Sequence, residues 1–181
     1  ELFRVKDDEI ISKTMSNKEN GRCILRVPST GDQYAYNVTA DGYLFLSDKI
    51  TETNTGEEVY IRLKKASAGS NMVLNNVFFD NNSYELKEES KSELNRIIRF
   101  MNENPEVRVR FEGHTDSNGS RELNTKLSDN RAKAVKKYMI QNGIDSSRME
   151  AQGFGPDRPV ATNDTEEGRA QNRRTEMVIL E

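Results

Sequence analysis

The sequence predicts a two-part chain of α+β/α/β class: a small antiparallel, β-sandwich-like domain over residues 1–70, then an α/β sandwich with a mixed sheet over 71–181. Three observations carry this. The first 70 residues hold short β-branched or aromatic runs separated by turn clusters. A stretch of small residues, Ala66-Ser67-Ala68-Gly69-Ser70-Asn71, then marks a domain boundary. Beyond it the apolar pattern switches repeatedly between the period of a strand and that of a helix.

In the first domain, strands are expected at residues 23–27, 34–39, 43–47 and 58–64. Asp41-Gly42 predicts a tight hairpin of type I′, which needs positive φ at both central residues. Val59, Ile61 and Leu63 alternate with polar residues, as on a half-buried strand. The single cysteine, Cys23, lies in Arg22-Cys23-Ile24-Leu25 and reads as a small buried hydrophobe in a strand.

In the second domain a strand is expected at 72–79, and then a helix over 86–104 with Leu94, Ile97, Ile98 and Met101 on one stripe. Asn104-Pro105 stops it, because proline disfavours a helical residue before it. Val107, Val109 and Phe111 alternate with Arg108, Arg110 and Glu112 on a strand. Ser128 can cap a second helix that runs to Asn142, with Gly143 as its left-handed stop and Ala132, Val135, Tyr138 and Met139 as its buried stripe. Strands follow at 149–154 and 176–180, joined by a Gly-, Pro-, Asp- and Asn-rich loop from Gly155 to Thr165. Helices between strands require crossovers, so part of the sheet is parallel.

Composition excludes some functions. The net charge is −3 with basic residues dispersed, so no basic field marks a nucleic-acid partner. No run reaches the roughly 18–20 apolar residues needed to span a bilayer. Without an initiator Met or a signal peptide, the chain is expected to be part of something longer.

The chemistry concentrates in Gly113-His114-Thr115-Asp116, directly after a strand, where ligands usually sit in open α/β sheets. With Ser128 as cap, Arg131 falls in the first turn of a helix, where a cation is unfavourable unless a ligand carboxylate is held there. The plainer alternative is an ordinary Asp116–Arg131 salt bridge.

Several ordered motifs bear on this. They are Val77-Phe78-Phe79-Asp80, Gly113-His114-Thr115-Asp116, Asn124, Leu127-Ser128-Asp129-Asn130-Arg131-Ala132, Gly153-Phe154-Gly155, Pro159 and Asn172-Arg173-Arg174-Thr175-Glu176. Through them residues 73–181 resemble the OmpA-like C-terminal domain, also found in peptidoglycan-associated lipoproteins and flagellar-motor stator proteins. The resemblance implies a βαβαββ sandwich that binds the peptidoglycan stem peptide without cleaving it. It assigns Asp116 to the ammonium of diaminopimelate and Arg131 to a carboxylate of the same residue. It places Thr115, Asn124, Leu127, Phe79 and Asp80 around the pocket and makes Arg173 a further contact. The end of diaminopimelate is a zwitterion, so one fixed anion and one fixed cation suit it.

Other chemistry is disfavoured. His114 is the only histidine, with no Cys nearby, so neither a metal nor any other cofactor is expected. It reads as a structural residue whose imidazole is hydrogen-bonded to hold the loop. Ser117 and Ser120 lack a nucleophile elbow, and Glu112 and Asp116 are expected to point apart, so no catalytic residue is assigned. Gly153-Phe154-Gly155 reads as a bend at a strand end rather than a phosphate loop.

Residues 21–63, through 34–39 and Ala40-Asp41-Gly42-Tyr43, resemble part of a transthyretin-like or carboxypeptidase-regulatory β domain. Such modules serve as spacers or protein-docking surfaces. Joined to an OmpA-like domain, this one resembles outer-membrane-associated lipoproteins of gram-negative bacteria, including the PorE-type component of the type IX secretion system. The expectation is therefore a periplasmic cell-wall anchor. Its partners would be peptidoglycan and other envelope or secretion proteins. The alternative is a protein-interaction module with a vestigial pocket.

Overall fold

The computed structural model describes residues 1–51, 56, 58–75, 77–80 and 83–180. The chain divides into two compact units, Glu1–Lys65 and Ala66–Glu181.

The first unit is built on an antiparallel sheet of order β2-β1-β3-β4, formed by β1 (Leu2–Arg4), β2 (Ile10–Ser12), β3 (Tyr34–Val38) and β4 (Leu46–Lys49). Leu2, Phe3, Tyr34, Ala35, Tyr36, Leu44 and Phe45 are its buried apolar residues. The strand expected at 34–39 is there, and the one expected at 43–47 begins later, at Leu46. The connection between them turns at Ala40–Tyr43, where the Tyr43 amide donates to the Ala40 carbonyl at 3.1 Å. Only its second central residue, Gly42, has positive φ (76°), so this is the pattern of a type II turn and not of the expected type I′.

Two of the expected strands do not form. Residues 23–27 form no strand, Cys23 is exposed and Ile24 is 80% exposed. Residues 58–64 form no strand either, and the Val59–Ile61 face is exposed. Alternation identifies a segment that could be half buried, but pairing needs a neighbour. The neighbours of β3 are β4 and the three-residue strand β1, which is too short to leave a periodic signal.

The second unit contains a four-stranded mixed sheet of order β5-β8-β6-β7: β5 (Asn71–Val73), β6 (Val109–His114), β7 (Met149–Gly155) and β8 (Thr175–Ile179). β6 is parallel to β7 and antiparallel to β8, as the helical crossover between β6 and β7 requires. Helices α1 (Ser90–Glu103) and α2 (Arg121–Gln141) supply the other half of the core. Leu94, Ile97, Met101, Ala132, Val135 and Met139 from the helices, with Val109, Phe111, Met149, Met177 and Ile179 from the sheet, are all buried. No helix among the described residues is long and apolar enough to cross a membrane.

Several elements differ from expectation: α1 starts at Ser90 instead of 86, and β6 at Val109 instead of Val107. β5 stops at Val73, and the chain turns at Leu74, whose carbonyl accepts from the Val77 amide. Phe78 is then pinned to the start of α1, because the Ser90 hydroxyl accepts from its amide (2.8 Å) and donates to its carbonyl (3.1 Å). A third helix, α3 (Glu166–Asn172), occupies part of the segment before β8. Most consequentially, α2 begins at Arg121 and is capped by Ser120, whose hydroxyl accepts from the Leu123 amide. Ser128 lies inside α2, fully buried, and caps nothing.

Ser128 is where α2 meets the sheet. A Cβ on Gly113 would stand 2.1 Å from the Ser128 carbonyl oxygen, and one on Gly153 would stand 2.2 Å from the Asp129 amide nitrogen. The Ser128 hydroxyl donates to the Thr125 carbonyl (2.8 Å) and accepts from the Gly155 amide (2.9 Å), so it stitches helix to strand. Opposite this point β7 carries a bulge: Gly113 pairs with Gly153 but His114 with Gly155, which leaves Phe154 as the extra residue.

Gly113→Ala is therefore expected to destabilise the second unit by about 3 kcal/mol, the upper range for overpacking. Gly119→Ala, where φ is +90° but nothing lies within 4 Å, should cost about 1 kcal/mol. Urea unfolding of the two variants tests the difference, and equal losses would contradict the close approach.

Candidate functional site

The candidate site lies where β6 ends against α2. After His114 the chain leaves the sheet, and its first residues are fixed by backbone and side-chain bonds. The Thr115 amide donates to the Gly155 carbonyl at 2.9 Å, and the Thr115 hydroxyl to the Asp116 carbonyl at 2.9 Å. Asn124, on the first turns of α2, donates to the Asn118 carbonyl at 2.8 Å and so ties the loop to the helix.

Asp116 is buried. One carboxylate oxygen accepts from the Asn118 amide at 2.9 Å, as in an Asx turn, and the other from Arg173 Nη1 at 2.7 Å. Arg173 follows directly on α3 and spans two carboxylates, with Nη2 on Glu166 at 2.7 Å. Those two carboxylates, Asp116 foremost, hold Arg173 above the ordinary arginine value.

Arg131 sits ten residues past Arg121, the start of α2. That is about three turns, too far for the helix end to act on its charge. The first-turn placement expected from Ser128 is thus corrected, and with it the argument from the helix dipole. The residue is fixed from elsewhere. Its Nε donates to the Ser83 carbonyl at 2.9 Å and its Nη2 to the Asp80 carbonyl at 3.3 Å. Its guanidinium lies 5.0 Å from the centroid of the Phe79 ring. No carboxylate pairs with Arg131 among the described residues, so the plain Asp116–Arg131 salt bridge is not formed. Burial, and then the charge of Arg173, pull its pKa below the ordinary arginine value, while Asp116 opposes them. Asp116, Arg131 and Arg173 therefore share one electrostatic neighbourhood.

The remaining expected residues fall around this core. Phe79 and Asp80 lie in the segment before α1, where Asp80 offers Arg131 its carbonyl and gives its carboxylate to Lys87 at 2.8 Å. Leu127 is half-buried on α2, one turn before Arg131. Glu112 does point away from Asp116, being bonded to Arg110 (2.8 Å) and Arg158 (3.0 Å).

Sequence reasoning missed α3 and with it Glu166 and Asn163, and gave the buried Asn172 of the last motif no role of its own. A signal was present. Thr165 followed by Glu166-Glu167 is a helix start, and its hydroxyl does accept from the Gly168 amide.

His114 does not hold the loop by hydrogen bonds as expected. Both ring nitrogens are buried without a hydrogen-bond partner among the described residues. The ring stacks on Phe154 at 5.6 Å, with Glu112 at 3.9 Å and Glu176 at 4.0 Å from Nε2. Burial lowers its pKa to about 4, with Arg174 and Arg158 adding to the shift and Glu176 and Glu112 opposing it. The imidazole acts here as a neutral flat filler.

The profile of the OmpA family matches residues 78–173. The probable lipoprotein YiaD of Escherichia coli is 42% identical over 115 residues, which are 62% of this chain and 52% of that protein. The chain thus spans about half the length of this curated relative. Among solved structures, the peptidoglycan-associated lipoprotein of Burkholderia pseudomallei superposes with a TM-score of 0.54 at 32% identity, covering 57% of this chain and 87% of that one. The cell wall anchor of the T6SS from Pseudomonas aeruginosa gives 0.53 at 31% identity, covering 61% and 80%.

The buried imidazole makes stability depend on acid. Unfolded, His114 takes a proton near pH 6.5, whereas folded it stays neutral down to about pH 4. Its contribution is complete above pH 6.5 and is lost as pH falls through that window. The total loss should be roughly 2–4 kcal/mol. Denaturant unfolding from pH 7.5 to 4.0 should show a shallower decline for His114→Phe, which keeps the stack on Phe154; parallel curves would refute the assignment.

Proposed function

This chain belongs to the OmpA family through residues 78–173, and on that premise we propose that its second unit binds peptidoglycan non-covalently through the diaminopimelate of the stem peptide. The observation that carries the reading is Arg131. Its guanidinium is half-buried, held by two carbonyls and a ring face, and pairs with no carboxylate among the described residues. Desolvating a cation without an anion is unfavourable, so a ligand carboxylate is the natural completion of the site. Asp116, fixed in the same neighbourhood, is the acceptor for the ligand's ammonium. Thr115, Asn124, Leu127, Phe79, Asp80 and Arg173 shape and hold the pocket between them.

The activity is binding without cleavage. In this reading the protein lies in the periplasm of a gram-negative bacterium, associated with the outer membrane, and anchors its parent assembly to the cell wall. The solved relatives named for peptidoglycan association and for cell-wall anchoring support this. The first unit is the spacer or docking part, and a secretion complex of the type IX kind is the assembly its resemblance suggests.

Three outcomes are expected in co-sedimentation with purified sacculi and in calorimetry with a diaminopimelate muropeptide. Asp116→Ala and Arg131→Ala should each weaken binding roughly tenfold to a hundredfold, the range for losing a charged hydrogen-bond partner. Arg131→Lys should recover little, since the two-pronged donor geometry is lost. Sacculi with lysine in place of diaminopimelate should bind worse by a similar factor, because no carboxylate reaches Arg131. Equal retention of all variants on both kinds of sacculus would exclude the pocket.

A further inference from the structure

We infer that Asn163 is a positioning residue of the ligand pocket, which fixes the Asp116 loop through its side-chain oxygen as part of a relay from Asn172. The inference rests on the pocket reading above but stands on its own geometry.

Asn172 closes α3 and is fully buried. Its oxygen accepts from the Val160 amide (2.8 Å) and the Ala161 amide (3.1 Å). Its nitrogen donates to the Ala161 carbonyl (2.9 Å) and to Asn163 Oδ1 (3.0 Å). A side-chain amide has two donor hydrogens and two acceptor sites, so Asn172 has no capacity left and can sit in only one way.

Asn163 Oδ1 takes one more bond, from the Ser117 amide at 3.1 Å. Both groups facing this atom are donors, and one is a backbone N–H that cannot be reassigned. The atom must therefore be the oxygen and not the nitrogen of the amide. Asn163 is itself anchored, because its carbonyl accepts from Arg169 Nη1 at 2.8 Å. The segment is pressed against α3 as well: a Cβ on Gly168 would stand 2.0 Å from the Thr162 carbonyl oxygen.

The consequence falls on Asp116. The peptide that follows it is held by Asn163, and its carboxylate is held by Arg173, the residue after Asn172. Both contacts issue from one rigid segment. Main chain and side chain of Asp116 are therefore aimed together, and a change at Asn163 should move the carboxylate without touching the ligand.

The role uses only an acceptor oxygen, which separates two substitutions. In the full chain, Asn163→Asp keeps the acceptor and Asn163→Ala removes it. Hydrogen exchange of the Ser117 amide is read without ligand, and calorimetry reads affinity for the L-alanyl-D-glutamyl-diaminopimelate muropeptide. Asn163→Ala should speed Ser117 exchange roughly tenfold and weaken affinity roughly tenfold, in line with one lost bond. Asn163→Asp should stay close to wild type in both. Wild-type behaviour of Asn163→Ala, or equal damage by both variants, would overturn the relay. If wild type itself fails to bind the muropeptide, the diaminopimelate reading fails instead, and Ser117 exchange alone decides the relay.

Discussion

The second unit depends on one close approach, that of the α2 backbone onto β6 and β7 at Gly113, Gly153 and Ser128. Side chains normally keep a helix well off a sheet, with packing filled by their bulk. Here two glycines remove that bulk, and the Ser128 hydroxyl bonds across the gap to the Gly155 amide. The helix is pinned at its middle, so everything on its pocket-facing side is set relative to the end of β6. Asn124 and Leu127 come before the pin and Arg131 just after it. The loop that begins at Thr115 leaves the sheet at the same level, held to β7 by the Gly155 carbonyl. Widening the gap by one methyl group would separate the acid from the base.

The charges around this contact are arranged unequally. Asp116 has its partners already: an amide within its own loop and Arg173 from after α3. Among the described residues, Arg131 has only carbonyl acceptors and a ring face. An unpaired guanidinium in a partly desolvated place is tolerated because two carbonyls and an aromatic face replace some of the lost hydration. It is not neutralised, and the Arg173 charge nearby makes its state less comfortable still. The site thus keeps an excess of positive potential at Arg131. That suits a ligand carboxylate more than it suits the folded chain alone.

Much of this was legible in the sequence, and the limits of that legibility are physical. Helix α1 ends where Asn104-Pro105 ends it, and α2 ends before Gly143, because proline and left-handed glycine act locally. The parallel pairing of β6 with β7 followed from the helix between them. The start of α2 was misread because Ser128 was taken as its cap. Only burial distinguishes Ser120, which caps, from Ser128, which faces the sheet, and burial is a tertiary property. The contact of Asp116 with Arg173 was not foreseen for a similar reason: the two are 57 residues apart, and no local spacing relates them. The His114 expectation failed because a polar residue was given a polar role, while stacking on Phe154 uses its shape. In the first unit the alternation at 58–64 was real as a pattern, but the segment pairs only at its end, where the Leu44 amide donates to the Lys64 carbonyl, whereas Leu2-Phe3-Arg4 pairs twice.

Under the proposed reading, the asymmetry between Asp116 and Arg131 also bears on how readily a zwitterion would enter. Had the two paired with each other, a ligand would have had to break that pair before gaining either of its own contacts. A buried pair loses several kcal/mol when one partner is withdrawn. In the observed arrangement the carboxylate of the proposed ligand would meet a cation that has no ionic partner among the described residues. The incoming ammonium meets Asp116 beside Arg173, and Arg173 retains Glu166 on its second arm whatever it yields at the first. Glu166 is mostly exposed, so it can strengthen its hold on Arg173 without a desolvation penalty. The loop itself is already ordered by Thr115, Asn118, Asn124 and Asn163, so little conformational entropy is lost on binding. For the proposed binding of a fixed polymer, each of these features favours tight binding.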